Sequence, residues 1–319
     1  MLAILAITGP IFALIGLGYA CVAMGLFERG DMRILGRFVI NLALPALIVS
    51  ALSQRTLAEI LRGDYLLACA GGALISFSLI LLWFYRVRGR GFQESALTAM
   101  GAAISNSAFM GLPIVVQVVG PAASVALALN MVVENIIMLP LALILADLAG
   151  QGQGSVWARL RGIGWSLVKN PIILAISCAL SLSLLQMPLP PLLAKPIDML
   201  GLAAAPVALF SIGGNLAGSR LGGVLADVGQ VVGAKLLLHP LLVAGLALSL
   251  PGMDPLMQAA AIVYASMPMF SIYPLFGMKY GMEVFCSAAV VAATLASFAS
   301  ITIVIWLVHR FLLPPSLLP

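Results

Sequence analysis

Apolar runs of about twenty residues recur along the chain, near 2–25, 33–53, 65–86, 94–119, 121–149, 164–186, 194–216, 226–250, 253–281 and 284–312. A run of that length crosses the hydrocarbon of a bilayer as one helix, and no soluble core requires ten of them. Backbone polar groups in lipid must be satisfied within their own segment, so the runs are predicted as helices. Only 8% of the residues are charged, 62% are hydrophobic, and the mean hydropathy is +1.15. The chain therefore reads as an all-α polytopic membrane protein with ten transmembrane helices. The first run lacks a basic flank and nothing soluble follows it, so it is expected to be a span and not a signal peptide.

Two of the runs are interrupted. Ile104 to Pro113 carries Ser105, Asn106, Ser107, Gly111 and Pro113 within an otherwise apolar stretch. Ala265 to Pro274 carries Ser266, Met267, Pro268, Ser271, Tyr273 and Pro274. Proline removes a backbone donor and clashes with the preceding turn, and glycine weakens the helix further. The freed backbone groups are tolerated at membrane depth only where protein or a water-filled cavity satisfies them. Interrupted helices in matching positions of two halves point to a transporter binding site, where half-helix N-termini favour an anion.

The halves do match. Sliding the second on the first by 161 residues brings Pro10 onto Pro171, Pro45 onto Pro206 and Pro113 onto Pro274. Ser50, Gly72, Ala73, Ser105, Phe109 and Gly120 meet identical residues at the same offset. Each half holds five spans, an odd number, so the second copy is expected upside down relative to the first, with helices 4 and 9 crossing. The division is 1–149 for the first repeat, 150–163 for a Gly- and Gln-rich linker, and 164–319 for the second. Basic residues set the orientation. Arg29, Arg33, Arg37, Arg86, Arg88, Arg90, Arg159, Arg161, Lys169, Arg220 and Lys279 fall on one set of connections, against Arg55, Arg62, Lys195 and Arg310 on the other. The richer side is expected in the cytoplasm, the linker with it and both termini outside. The net charge of +5 is read as this asymmetry, not as a nucleic-acid footprint.

Few ionisable residues fall inside the spans. Glu134 lies midway along the fifth, and Lys235 and His239 lie four apart on one face of the eighth. Charge at that depth is expensive and should face protein or water with a partner. Two readings stand side by side: a proton relay or substrate counter-charge, and a Glu134–Lys235 ion pair that locks helices. Small residues around 41–50 and 203–215 suit close helix packing, and Asn41 could face the pathway. Cys21, Cys69, Cys178 and Cys286 lie in apolar runs without metal-ligand or disulfide spacing. No HExxH, GxSxG or P-loop is present, so an enzyme, a cofactor and a metal centre are not expected.

The stretches Asn41-Leu-Ala-Leu-Pro45, Asn106-Ser-Ala-Phe-Met-Gly-Leu-Pro113 and Ala265-Ser-Met-Pro268 resemble the auxin efflux carrier family, over the whole chain. That family includes plant auxin carriers and bacterial permeases for malonate or malate. The resemblance implies the fold of bile-acid symporters and sodium/proton antiporters. It implies a scaffold of helices 1, 2, 6 and 7, a mobile core of helices 3–5 and 8–10, a homodimer and elevator-type alternating access. It carries the crossover-asparagine role to Asn106; the second crossover has Met267 or Ser271 where plant carriers have another asparagine. The expectation is a secondary transporter of small organic anions in a bacterial inner membrane, coupled to protons because no acidic cluster resembles a sodium cage. The alternatives are an efflux carrier for auxin-like hydrophobic weak acids and, from another class, a membrane receptor that binds an organic anion without moving it.

Overall fold

The computed structural model describes residues 2–53, 62–149, 169, 171–185, 187, 189–217 and 225–313. The linker expected at 150–163 lies outside them, as do Arg55, Arg159, Arg161 and Arg220. The described residues are helical, without a named strand. In chain order the helices are α1, Leu2–Ala23; α2, 29–52; α3, Gly63–Val87; α4, Phe92–Ala103; α5, Ser107–Val119; α6, 122–149; α7, Pro171–Leu184; α8, Pro191–Leu216; α9, 225–249; α10, Pro255–Ala265; α11, Tyr273–Lys279; and α12, Glu283–Phe311. Among the described residues six stretches are long and apolar enough to cross a membrane: Gly30–Ser50, Gly63–Val87, Ala122–Asp147, Pro191–Leu216, Ala226–Ser249 and Glu283–Phe311. α4 and α5 occupy one apolar run and α10 and α11 another, each pair parted by a few non-helical residues.

The prolines act differently from a plain break. Short π turns lie within α2 at Val39–Ala43, at the start of α5 at Ser107–Gly111, in α6 at Val133–Met138 and in α9 at Ala234–Leu238. Each is followed two residues after its end by a proline: Pro45, Pro113, Pro140 and Pro240. A proline ring clashes with the carbonyl one turn back and cannot donate to it. Widening that turn by one residue relieves both faults while the helix continues. Pro113 thus sits inside α5. The fourth helix parts nine residues earlier, at extended Ile104.

α1 runs along α8, and α2 lies against α7 and α8. α3 packs on α4 and α9, α4 on α6, α9 on α10, and α11 on α12. Glycine sets the first of these contacts. A Cβ on Gly18 would fall 2.0 Å from the Phe210 carbonyl oxygen, and one on Gly213 would fall 1.8 Å from that of Ile15. No side chain other than hydrogen fits there, so α1 and α8 touch backbone to backbone. At the end of α3, Arg88 and Arg90 both bind the buried Asp227 carboxylate of α9, and Trp83 Nε1 donates to Gln230 Oε1 at 2.8 Å. Cys21, Cys69 and Cys286 are buried, Cys178 is exposed, and none is in a disulfide.

Candidate functional site

The two interruptions pair with each other. Ser105 and Met269 form an isolated antiparallel bridge. The Asn106 backbone N–H donates to the Pro268 carbonyl at 2.8 Å, and Asn106 Nδ2 donates to Ser271 Oγ at 2.9 Å. Backbone groups that leave one helix are therefore met by groups that leave the other, as burial without water demands.

Lys235 ties both interruptions to α9. Its side chain is fully buried, and its Nζ donates to Ser105 Oγ at 2.7 Å and to the Ala265 carbonyl at 3.1 Å. The third partner is His239 Nδ1, at 2.7 Å. An ammonium has three donors and no acceptor, so three acceptors complete it, and Nδ1 takes the acceptor role. The Ala265 carbonyl is one of the unpaired groups at the C-terminal end of α10, where a cation is favoured.

Glu134 stands on the other side of the same short segment. Its Oε1 accepts from Ser107 Oγ at 2.6 Å. Glu134 and Lys235 form no direct ion pair, in contrast to Asp227, which pairs with Arg88 and Arg90. Two serines, Ser107 and Ser105, meet the two side chains separately. Glu134, Lys235 and Ser107 all lie in π turns that precede a proline, so the wide turns and the polar side chains coincide.

A cavity of about 140 Å³ opens beside this crossing. Ser105, Asn106, Ser107 and Ala108 line it from the first interruption, Phe270, Ser271 and Ile272 from the second, and Met131, Glu134, Asn135 and Leu139 from α6. Ile40 and Leu44 of α2 and Ile172 of α7 close it from the neighbouring helices. Asn106 precedes α5 without a side-chain cap. The first N–H groups of any helix lack intrahelical acceptors, so those of Ser107, Ala108 and Phe109 are free for an anion. Most lining side chains are apolar. Among the described residues Glu134 is the ionisable one in the lining, and neither lysine nor arginine takes part.

Of the residues singled out in the sequence, Ser105, Asn106, Ser107, Ser271 and Glu134 line the cavity. Lys235 and His239 lie behind it. The others do structural work or point elsewhere. Ser266 Oγ donates to the Val263 carbonyl of its own helix at 2.7 Å, and Tyr273 Oη to the Leu97 carbonyl at 3.0 Å. Met267 is buried against Gly111, where a Cβ would lie 2.7 Å from the Tyr264 ring. Pro268 contributes its carbonyl. Pro113, inside α5, and Pro274, at the start of α11, fall outside the lining. Asn41 Nδ2 donates to the Arg37 carbonyl at 2.7 Å and is exposed. Its neighbours Ile40 and Leu44, four apart on one helix face, line the cavity instead. Asn135 was also not anticipated as a lining residue; its place next to Glu134 in the sequence was the available signal.

Comparison with known proteins adds to this geometry. A family model described as "Membrane transport protein" matches residues 4–307. The chain is 32% identical over 312 residues to a Rhizobium meliloti (strain 1021) protein named "Putative malonate transporter", covering 97% of each chain. It is 26% identical over 308 residues to an "Uncharacterized transporter" of Methanothermobacter thermautotrophicus, covering 91% of this chain and 94% of the other. It is 25% identical over 244 residues to "Uncharacterized transporter YfdV" of Escherichia coli K12, covering 75% of this chain and 77% of that one.

Proposed function

Because this chain belongs to the auxin efflux carrier family of membrane transport proteins, we propose that it is a secondary active transporter of small organic anions, carboxylates such as malonate among them, driven by protons. The observation that carries the reading is the cavity at the crossing of the two interruptions, where the uncapped start of α5 and the Glu134 carboxylate share one wall. An anion placed on the α5 N–H groups is attracted by the helix end and repelled by an ionised Glu134. Protonation of Glu134 removes the repulsion, so proton and anion bind together. Lys235 supports both interruptions from behind the crossing without entering the cavity.

Movement follows from where the cavity lies. Its walls come from α2 and α7 on one side and from the crossing and α6 on the other. α1, α2, α7 and α8 pack mainly among themselves, and α3 to α6 with α9 to α12 form the second group. A rigid shift of the second group against the first would carry the cavity across the membrane. This is the elevator form of alternating access, with two inverted five-helix repeats and a homodimer built through the first group. Two inward-opening and outward-opening states of one site are what distinguish a carrier from a receptor.

The test uses purified protein in liposomes with labelled malonate as probe. A carrier gives counterflow of the label against unlabelled malonate, and uptake driven by a pH gradient. Binding without counterflow would favour a receptor. A second reading has its own support: the mostly apolar lining, including Phe109, Phe270, Met131 and Ile272, without a lysine or arginine among the described residues, suits a hydrophobic weak acid. It predicts that an aromatic monocarboxylate such as indole acetate displaces the label better than malate does.

A further inference from the structure

A second, smaller space lies behind the crossing, with a volume of about 20 Å³. Ser105 and Glu134 line it as well as the larger cavity; Cys69, Asn130, His239 and Tyr264 complete its polar lining. This is room for one water molecule. Asn130 is only 6% exposed, and its Nδ2 has no hydrogen-bond partner in the protein. A buried amide donor without an acceptor is costly and rare, and it calls for an occupant.

No neighbouring group takes up that donor. Lys235 offers only donors, and all three are engaged. Tyr264 Oη donates to the Ala123 carbonyl at 2.8 Å. His239 Nδ1 is held by Lys235. Cys69 is a weak partner at best, and Tyr65, one turn away on α3, is itself buried without one. Glu134, four residues along α6, accepts from Ser107 and has acceptor capacity to spare, but Asn130 Nδ2 makes no direct bond to it.

We propose that this space holds one ordered water, which accepts from Asn130 Nδ2 and donates to the Glu134 carboxylate, making Asn130 a positioning residue for the group that binds the coupling proton. The role assigned to Glu134 rests on the function proposed above; the water itself does not. A buried water with such partners is part of the structure and is lost only when its partners are. It gives Glu134 a hydrogen bond on the side away from the substrate, so the carboxyl keeps its place when Ser107 turns to an anion.

Infrared difference spectroscopy on the full-length protein in lipid tests this without a substrate. At one fixed pH, spectra recorded in ordinary water and in oxygen-18 water should contain an isotope-sensitive O–H band. Asn130→Leu, which fills the space with a methyl-bearing side chain, should abolish that band and raise the carboxyl frequency assigned to Glu134 through Glu134→Gln. Asn130→Ser keeps a donor and leaves more room, so it should retain the band at a shifted frequency. No isotope-sensitive band in the wild type, or an identical band in both variants, overturns the proposal. Titration of the Glu134 carboxyl is read separately, from the difference between acid and alkaline spectra. If Glu134→Gln removes no band there, proton coupling through Glu134 fails while the water stands or falls on its own isotope shift.

Discussion

Asn106 Nδ2 donates to Ser271 Oγ at 2.9 Å, a side-chain bond between residues 165 apart that joins the two interrupted helices beside the cavity. The same asparagine gives its backbone N–H to Pro268, so it holds the second interruption at two points.

A double-mutant cycle of Asn106→Ala and Ser271→Ala isolates this bond. A typical intramolecular hydrogen bond contributes about 1 kcal/mol net, and residues in direct contact show non-additive losses. The coupling in thermal stability should be of that size. Malonate affinity should fall by about tenfold or more in Asn106→Ala, because a hydrogen bond to a charged group is worth about 1.5–3 kcal/mol. Strictly additive stabilities together with unchanged affinity would remove Asn106 from the site. Asn130 lines the space behind the crossing and is unsuitable as a control.

The contact of α1 with α8 gives a sharp comparison between two glycines two residues apart. A Cβ on Gly16 meets nothing within 4 Å, whereas one on Gly18 would fall 2.0 Å from the backbone oxygen of Phe210. Gly16→Ala should stabilise slightly, by about 0.5–1 kcal/mol, as alanine for glycine does within a helix. Gly18→Ala forces two backbones apart and should cost about 1–3 kcal/mol. Melting curves in detergent should move in opposite directions. Two shifts of the same sign would show that the helices do not touch here.

Orientation is checked at two exposed apolar positions, Val87 at the end of α3 and Leu192 at the start of α8. With Cys178, the exposed native cysteine, replaced by serine, Leu192→Cys should react with an impermeant maleimide in intact cells. Val87→Cys should react only after the cells are opened. Leu192→Cys silent until permeabilisation would break the inverted relation of the halves.

Much of this was legible in the sequence, and the failures have physical causes. Length and hydropathy placed the helices because lipid allows the chain few other choices. The serines, asparagine and glycine of 104–113 marked the interruption, but Pro113 was taken as its cause. In the structure the π turn of Ser107–Gly111 accommodates that proline, and the helix parts at Ile104, where the partner segment supplies the missing hydrogen bonds. The sequence left open a Glu134–Lys235 ion pair. It could not show that two serines would stand between them, since that depends on which way each helix is turned. Ile40, Leu44 and Ile172 were illegible for a different reason. An apolar residue facing a cavity and one facing lipid look alike in one sequence.

The last prediction concerns Glu134 itself. Its carboxylate accepts from Ser107 Oγ at 2.6 Å, in the first residue of α5, and it is the ionisable group that lines the cavity. While it is charged it competes with an incoming anion for the hydroxyl and the helix end. Once protonated it can donate, and the competition ends. The sign follows directly: acidification on the entry side should favour anion binding, and alkalinisation should oppose it. Glu134→Gln keeps the shape, stays neutral at every pH and still reaches Ser107. Malonate counterflow in this variant should persist and lose its dependence on pH, while uptake driven by a pH gradient disappears. The matched measurement is Lys235→Met, which leaves Ser105, His239 and Ala265 without their shared donor and should lower the melting temperature, at about 1–3 kcal/mol for each buried group left unpaired. If Glu134→Gln instead retains gradient-driven uptake with the pH profile of the wild type, the carboxylate holds Ser107 in place and the coupling proton binds elsewhere.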